Sequence, residues 1–141
     1  MGETMTPAFA PGACVRAWFA LAAAGCVLAS LPALAGTIKD QMAKLDPEER
    51  AHQACAIKGL EVIRHDKKLP GADHLKTGIF GRAVYVGNEV TAKGGAVKAH
   101  DHWYKLKFSC TVTADQMKAT AFTYEIGAEV PPDKWQDLGL W

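Results

Sequence analysis

An unbroken alternation of apolar and polar residues in the C-terminal half of the chain most constrains the fold. Every second residue from Tyr104 through Leu106, Phe108 and Cys110 to Val112 is apolar or cysteine, and the residues between them are polar. A period of two is expected for a strand that buries one face of a sheet and leaves the other in water. The segment therefore predicts a half-buried antiparallel strand with a cysteine on its apolar face.

The flanking sequence predicts the rest of an antiparallel sheet. Val, Ile, Phe, Tyr and Thr dominate from Gly78 onward, and residues 118–127 supply a second strand whose apolar positions match those of the first. Turn signals at Gly87-Asn88, Gly94-Gly95 and Ala99-His100-Asp101 divide the preceding segment at hairpin-like intervals. We therefore expect a meander of about four or five strands.

A helix is predicted ahead of the sheet. Residues 46–49, Asp-Pro-Glu-Glu, combine an N-cap, a proline at the first helical position and acids in the first turn. The helix is expected over residues 47–64, with Cys55 on its apolar half and Ile57 outside that half. This helix supplies a second cysteine that faces the predicted core.

The chain is predicted to end in a shorter helix that begins near Pro132 and stops at Gly139. The sequence contains no internal repeat and no low-complexity linker. The expected fold class is therefore α+β: an N-terminal helix packed on an antiparallel sheet of about four or five strands, closed by a short C-terminal helix.

The N-terminal segment has the pattern of an export signal. Residues 17–35 carry no charge, follow Arg16 and end in Ala33-Leu34-Ala35, a small-x-small sequence that a signal peptidase accepts. We predict a signal peptide over 1–35 that is cleaved after Ala35, which gives a periplasmic protein. An uncleaved membrane anchor and lipidation at Cys26 stay open as alternatives, and the membrane is contacted only through this segment.

The exported part is predicted to be a polar lead-in over 36–44 and a single disulfide-stapled domain over 45–141. Because the other two cysteines lie in the signal region, Cys55 and Cys110 are the remaining pair. In an oxidising compartment, two cysteines most simply form one disulfide. Two unpaired buried thiols are the alternative.

The charge balance argues against two classes of partner. Sixteen basic and fifteen acidic residues give a net charge of +1. Nucleic-acid binding requires a strong basic excess, and a strongly anionic substrate would also favour one. We therefore expect no nucleic acid partner.

Three motifs follow one another along the chain. The first helix carries Leu-Asp-Pro, Arg and Gln-x-Cys, the best strand carries Trp-Tyr-x-Leu-x-Phe-x-Cys, and the last strand carries Phe-x-Tyr-x-Ile-Gly before a closing Trp. In this order they resemble the family catalogued as domain of unknown function 930, over about residues 45–141. Lys98 stands where that family has an arginine. The matching residues are Leu45, Asp46, Pro47, Arg50, Gln53, Cys55, Trp103, Tyr104, Leu106, Phe108, Cys110, Phe122, Tyr124, Ile126, Gly127 and Trp135.

The resemblance implies an exported protein of alphaproteobacterial type in a family without an established activity. It also implies that some relatives carry the domain behind a membrane anchor and a proline-rich linker. These implications favour an envelope adaptor or accessory module over an enzyme.

A metal site at His100 and His102 is the alternative function. Two imidazoles separated by one residue lie on the same side of a strand, and a metal site needs one or two further ligands. The residues available for that role are Asp101, His65, His74 and Asp66. The competing interpretation places both histidines at the solvated end of a hairpin.

No catalytic residues and no cofactor are predicted. The chain has no Gly-x-Ser-x-Gly sequence, and a disulfide-bonded Cys110 cannot act as a nucleophile. The acids are scattered along the chain. We therefore expect a binding protein that is not an enzyme.

Trp103, Lys105 and Lys107 form the predicted partner surface, on the polar side of the best strand. Tryptophan is enriched at the energetic centres of interfaces, and a cationic sheet face suits an envelope protein or another envelope component. The alternative is that the lysines are simply solvated and that the C-terminal segment covers Trp103.

Overall fold

An antiparallel sheet under one long helix forms the fold. The computed structural model describes residues 36–141, so the predicted signal peptide over 1–35 lies outside the described residues. The elements in chain order are α1 (Ile38–Met42), α2 (Pro47–Arg64), β1 (Ala72–Lys76), β2 (Val84–Val86), β3 (Glu89–Ala99), β4 (His102–Val112), β5 (Ala119–Glu129), a 3-10 turn (Pro132–Lys134) and α3 (Trp135–Leu138).

The sheet has five strands, with the order β1-β3-β4-β5 and with β2 paired to the other end of β3. All pairings are antiparallel. The even-numbered residues of β4 from Leu106 to Val112 are buried in the core that the sheet forms with α2. The expected α+β class, the antiparallel sheet and the short C-terminal helix are therefore confirmed.

The helix α2 begins and ends where its sequence signals predict. The side chain of Asp46 caps it by accepting a hydrogen bond of 3.0 Å from the Glu49 N–H. Gly59 lets the helix lie close to the sheet, because a Cβ at this position would be 2.6 Å from the Phe122 ring and 2.7 Å from Leu75. A glycine inside this helix therefore has a packing reason.

Two elements differ from the sequence interpretation. The polar lead-in contains α1, which Thr37 and Asp40 start with a reciprocal capping box. The charged segment after α2 contains β1, an edge strand in which only Ala72 is buried. Because β1 carries too few apolar residues to show alternation, its sequence is typical of a loop.

The predicted turn at Gly94-Gly95 is wrong, because both glycines lie inside β3 at a bulge. The segment before β2 crosses the strand there, and the Gly94 carbonyl accepts 2.7 Å hydrogen bonds from the N–H groups of Ile79 and Phe80. A Cβ on Gly94 would be 2.4 Å from the Gly81 nitrogen. Glycine is required here for the close approach of two backbones.

A disulfide joins Cys55 of α2 to Cys110 of β4 in the centre of the core. Their side chains are 0% and 1% exposed. The two cysteines are separated by 55 positions, so closing that loop in the unfolded chain accounts for roughly 4 kcal/mol of stability. A domain of this size is stable by only about 5 to 15 kcal/mol, so the disulfide supplies a large share.

Removal of the disulfide by Cys55→Ser with Cys110→Ser is expected to lower the melting temperature by roughly 15 to 30 °C, because about 4 kcal/mol is lost. The measurement is a circular-dichroism melt of the oxidised wild type and the variant. Thr111→Ser, an exposed change in the same strand, is the matched control and is expected to melt with the wild type. Equal melting of the double variant and the wild type would contradict a stabilising disulfide.

Candidate functional site

The prediction that Trp103 belongs to an exposed partner surface is wrong. Trp103 is 0% exposed and lies in a second small core with Ala96, Val130 and Leu140. The C-terminal segment returns over this end of the sheet and is held by a 2.8 Å hydrogen bond from Trp135 Nε1 to the Val130 carbonyl. The polar side of β4 is therefore covered where Trp103 lies.

The two lysines of the same prediction lie on the open part of that sheet face. The Lys105 ammonium is 5.1 Å from the centroid of the Phe80 ring, and the Lys107 ammonium is 3.8 Å from a carboxylate oxygen of Glu125. Both lysines are exposed, whereas Trp103 of the same strand is buried. Their role as contact residues stays a prediction.

His100 and His102 lie at the end of a hairpin, which agrees with the second of the two interpretations of the sequence. Ala99 pairs with His102, and His100 and Asp101 form a two-residue turn with φ angles of 50° and 63°. His102 Nδ1 donates a hydrogen bond of 2.7 Å to Glu129. Within residues 36–141, no three His, Cys, Asp or Glu side chains are grouped to hold a metal ion.

An apolar groove of about 890 Å³ lies where α1, α2 and the turn between β4 and β5 meet. We call it the hairpin groove. Ile38 and Ile57 are 67% and 42% exposed in it, which is unusual for large aliphatic side chains. Its apolar lining consists of Ile38, Met42, Ile57, Ala114 and Met117, and its polar rim consists of Lys39, Thr113, Asp115 and Lys118.

Arg50 holds together the segments that form the hairpin groove. From the first half of α2 its guanidinium donates to three carbonyls: Met42 at 3.1 Å, Leu45 at 2.7 Å and Asp115 at 3.1 Å. The first two belong to the end of α1 and the link to α2, and the third belongs to the β4–β5 turn. Only the planar, five-donor fork of arginine reaches all three.

The β4–β5 turn is held in one shape by Asp115. The Thr113 hydroxyl donates to its carboxylate at 2.5 Å, and the Met117 N–H donates to the same oxygen at 3.1 Å. These hydrogen bonds, the Thr113 hydroxyl first, lower the pKa of Asp115 below its usual value. The carboxylate is therefore charged at neutral pH, and Gln116 in the left-handed region completes the turn.

The chemistry of the hairpin groove is that of binding. Its lining combines apolar surface and two thioethers, which adapt to differently shaped side chains. The rim carries the exposed Lys39 and Lys118 beside Asp115. Such a groove suits an apolar group with acidic neighbours.

Sequence reasoning missed this groove because three separate elements contribute to it. The one available signal was Ile57, an apolar residue on the polar face of the α2 helical wheel. Arg50 appeared only as a matched position of a family motif. Its three backbone partners follow from the fold alone.

Arg50→Met is expected to destabilise the protein by about 2 to 3 kcal/mol, because three carbonyls lose a charged donor while the side-chain length is kept. Arg50→Lys should lose most of the same amount, since an ammonium cannot reach all three. Urea denaturation measures both. Arg82→Met is the control, because Arg82 is exposed and makes one ion pair of 3.2 Å with Glu48; we expect less than about 0.5 kcal/mol. Equal losses at Arg50 and Arg82 would contradict the role of Arg50.

Within residues 36–141, no helix is long and apolar enough to cross a membrane. No curated protein and no solved structure matches the chain. The family model described as Domain of Unknown Function (DUF930) matches residues 42–140, which span α2, the whole sheet and α3. The match covers well over half of the chain, so this protein belongs to the DUF930 family.

Proposed function

We propose that this chain is an exported, non-catalytic binding protein of the bacterial cell envelope, and that it holds another envelope protein in the hairpin groove. The main support is that Ile38 and Ile57 are exposed in an apolar groove whose segments are held in place by hydrogen bonds from Arg50. Exposed apolar surface in a preformed concave site is typical of binding sites.

The polar rim defines the chemistry of the partner. Lys39 and Lys118 are exposed there, and Asp115 is already engaged by Thr113 and by the Met117 N–H. The rim therefore favours acidic residues on either side of an apolar anchor. An aromatic or leucine side chain would fill the space between Ile57 and Met117.

Two features support export to an oxidising compartment. The disulfide between Cys55 and Cys110 lies in the centre of the core, and such bonds persist mainly outside the cytoplasm. The uncharged residues 17–35, ending in Ala33-Leu34-Ala35, supply the signal. We therefore propose a periplasmic location after cleavage at Ala35.

The bonded cysteines also support a role without catalysis. Neither sulfur is free to act as a nucleophile. The chemistry of the groove, with aliphatic and thioether side chains and two lysines, serves association. Binding, rather than a reaction, is the function that this surface supports best.

Site-specific photocrosslinking in the native bacterium tests the proposal. Ile57→p-benzoylphenylalanine puts the probe in the hairpin groove, and Thr91→p-benzoylphenylalanine, on the open sheet face of β3, is the matched control. We expect one discrete adduct from position 57 and none from position 91. Lys39→Glu with Lys118→Glu should remove the adduct, because acidic neighbours of the anchor are then repelled.

An identical adduct from both positions, or one that survives the charge reversal, would rule out the hairpin groove. The mass of the chain from the periplasmic fraction tests export in the same experiment. A chain that begins at Gly36 is expected. A full-length chain with reduced cysteines would contradict export.

A further inference from the structure

We propose that the partner protein binds as an added strand along the free edge of β5, running antiparallel to it. This inference rests on the proposed function, because it specifies the backbone conformation in which the proposed partner binds at the hairpin groove. The binding element is a short extended segment with alternating apolar residues.

The strand β5 is a long edge strand that pairs regularly with β4 from Ala121 to Ile126, between two register shifts. It lies at one end of the strand order and spans Ala119–Glu129, 11 residues. Natural edge strands are commonly short or interrupted by lysine or proline, which block unwanted pairing. Between Ala119 and Glu129 there is no lysine and no proline, and the first charged residue is Glu125. The part of this edge between the two register shifts is therefore open to pairing.

The hydrogen-bond pattern shows which backbone groups are free. The Val112 N–H donates to the Asn88 carbonyl, on the β3 side of β4, at 2.8 Å. The backbone N–H and C=O groups of even-numbered β4 residues therefore bond to β3. The same groups of the β5 residues opposite them point away from β4. Those residues are Phe122, Tyr124 and Ile126. Within residues 36–141, β5 pairs with no strand other than β4, so these N–H and C=O groups face the open edge.

A side-chain pocket lies beside this edge. A depression of about 190 Å³ between α2 and the start of β5 is lined in part by Ala54, Ile57, Met117 and Ala119. It continues into the hairpin groove, because Ile57 and Met117 line both. Alternate side chains of an added strand point to the same side. An added strand on β5 therefore directs its apolar residues toward this pocket while its backbone pairs with the edge.

Two charges, one before β5 and one within it, set the order of charges along the added strand. Lys118 is exposed just before β5, and Glu125 has a side chain that is 73% exposed further along the strand. An antiparallel segment therefore places its N-terminal end near Glu125 and its C-terminal end near Lys118. A basic residue before the apolar positions and an acidic residue after them complement these charges.

A second copy of this chain is a poorer occupant than a separate protein. The apolar side chains of β5 are already engaged: the Phe122 ring stacks on Phe108 at 5.0 Å, and the Tyr124 hydroxyl donates to Asp66. Burial, together with that hydrogen bond, raises the pKa of Tyr124 to about 12. A second β5 has no large apolar side chain free for the pocket, because Phe122, Tyr124 and Ile126 pack against its own core. An extended segment of another protein supplies one.

Synthetic peptides of about seven residues test the inference, with the sequence Ser-Lys-Leu-Thr-Leu-Glu-Ser as the probe. Residues that lie opposite each other share a sheet face, so the leucine N–H groups point at β5 and the threonine N–H points away. N-methylation of both leucines is expected to weaken binding by at least about ten-fold in fluorescence anisotropy. N-methylation of the threonine is the matched control and should leave the affinity nearly unchanged.

Hydrogen exchange supplies the second measurement. The bound probe should slow exchange at the amides of Phe122, Tyr124 and Ile126, and exchanging its lysine and glutamate should weaken binding. Equal effects of the two N-methylations, no protection of these amides, or no binding at about 1 mM would overturn strand addition. Self-association of the free protein in sedimentation, together with protection of the same amides without the probe, would also overturn it in favour of a second copy.

The proposed function is judged separately by Ile57→Glu. If the probe binds without protecting the β5 amides and Ile57→Glu abolishes that binding, strand addition fails and the hairpin groove stands. If the probe protects the amides equally in wild type and Ile57→Glu, the edge pairs without help from the groove. That result would support strand addition and count against the groove.

Discussion

The disulfide between Cys55 and Cys110 is the constraint on which the rest of the structure depends. It fixes one point of α2 on the central strand β4, so the two neighbouring turns of the helix have set positions. Five residues before Cys55, Arg50 reaches the carbonyls that shape the hairpin groove. Two residues after it, Ile57 lies in that groove. A covalent bond in the core thus determines the geometry of a surface site.

The two faces of the sheet are used differently as a result. One face packs on α2, and the C-terminal segment covers one end of the other face around Trp103. The remaining open part of that face carries mostly threonine, serine and paired charges, which water solvates well. Val84 and Val86 of β2 are exposed aliphatic side chains, but Ile38 of α1 and Ile57 of α2 are the two that line one groove together. We therefore place the binding function at the junction of the helices with the β4–β5 turn and the β5 edge.

Local signals in the sequence predicted most of the fold, and long-range packing accounts for the rest. The Asp-Pro start of α2 and the alternation in β4 depend on neighbouring residues, so both could be predicted. Trp103 could not be placed, because the residues that cover it lie some 30 positions later in the chain. Gly94 looked like a turn because close backbone crossing and tight turning both require glycine. The groove could not be predicted from the sequence, because Ile38, Ile57 and Met117 are neighbours only after folding.

Methyl NMR of the two methionines tests the central claim most directly. In the predicted mature chain Met42 and Met117 are the only methionines, and both line the hairpin groove. With ¹³C-methyl methionine, adding a detergent extract of the envelope fraction should shift or broaden both resonances. The Lys39→Glu, Lys118→Glu variant should show no such change. Unchanged methionine signals, while amides on the open sheet face respond to the same extract, would contradict binding in the hairpin groove.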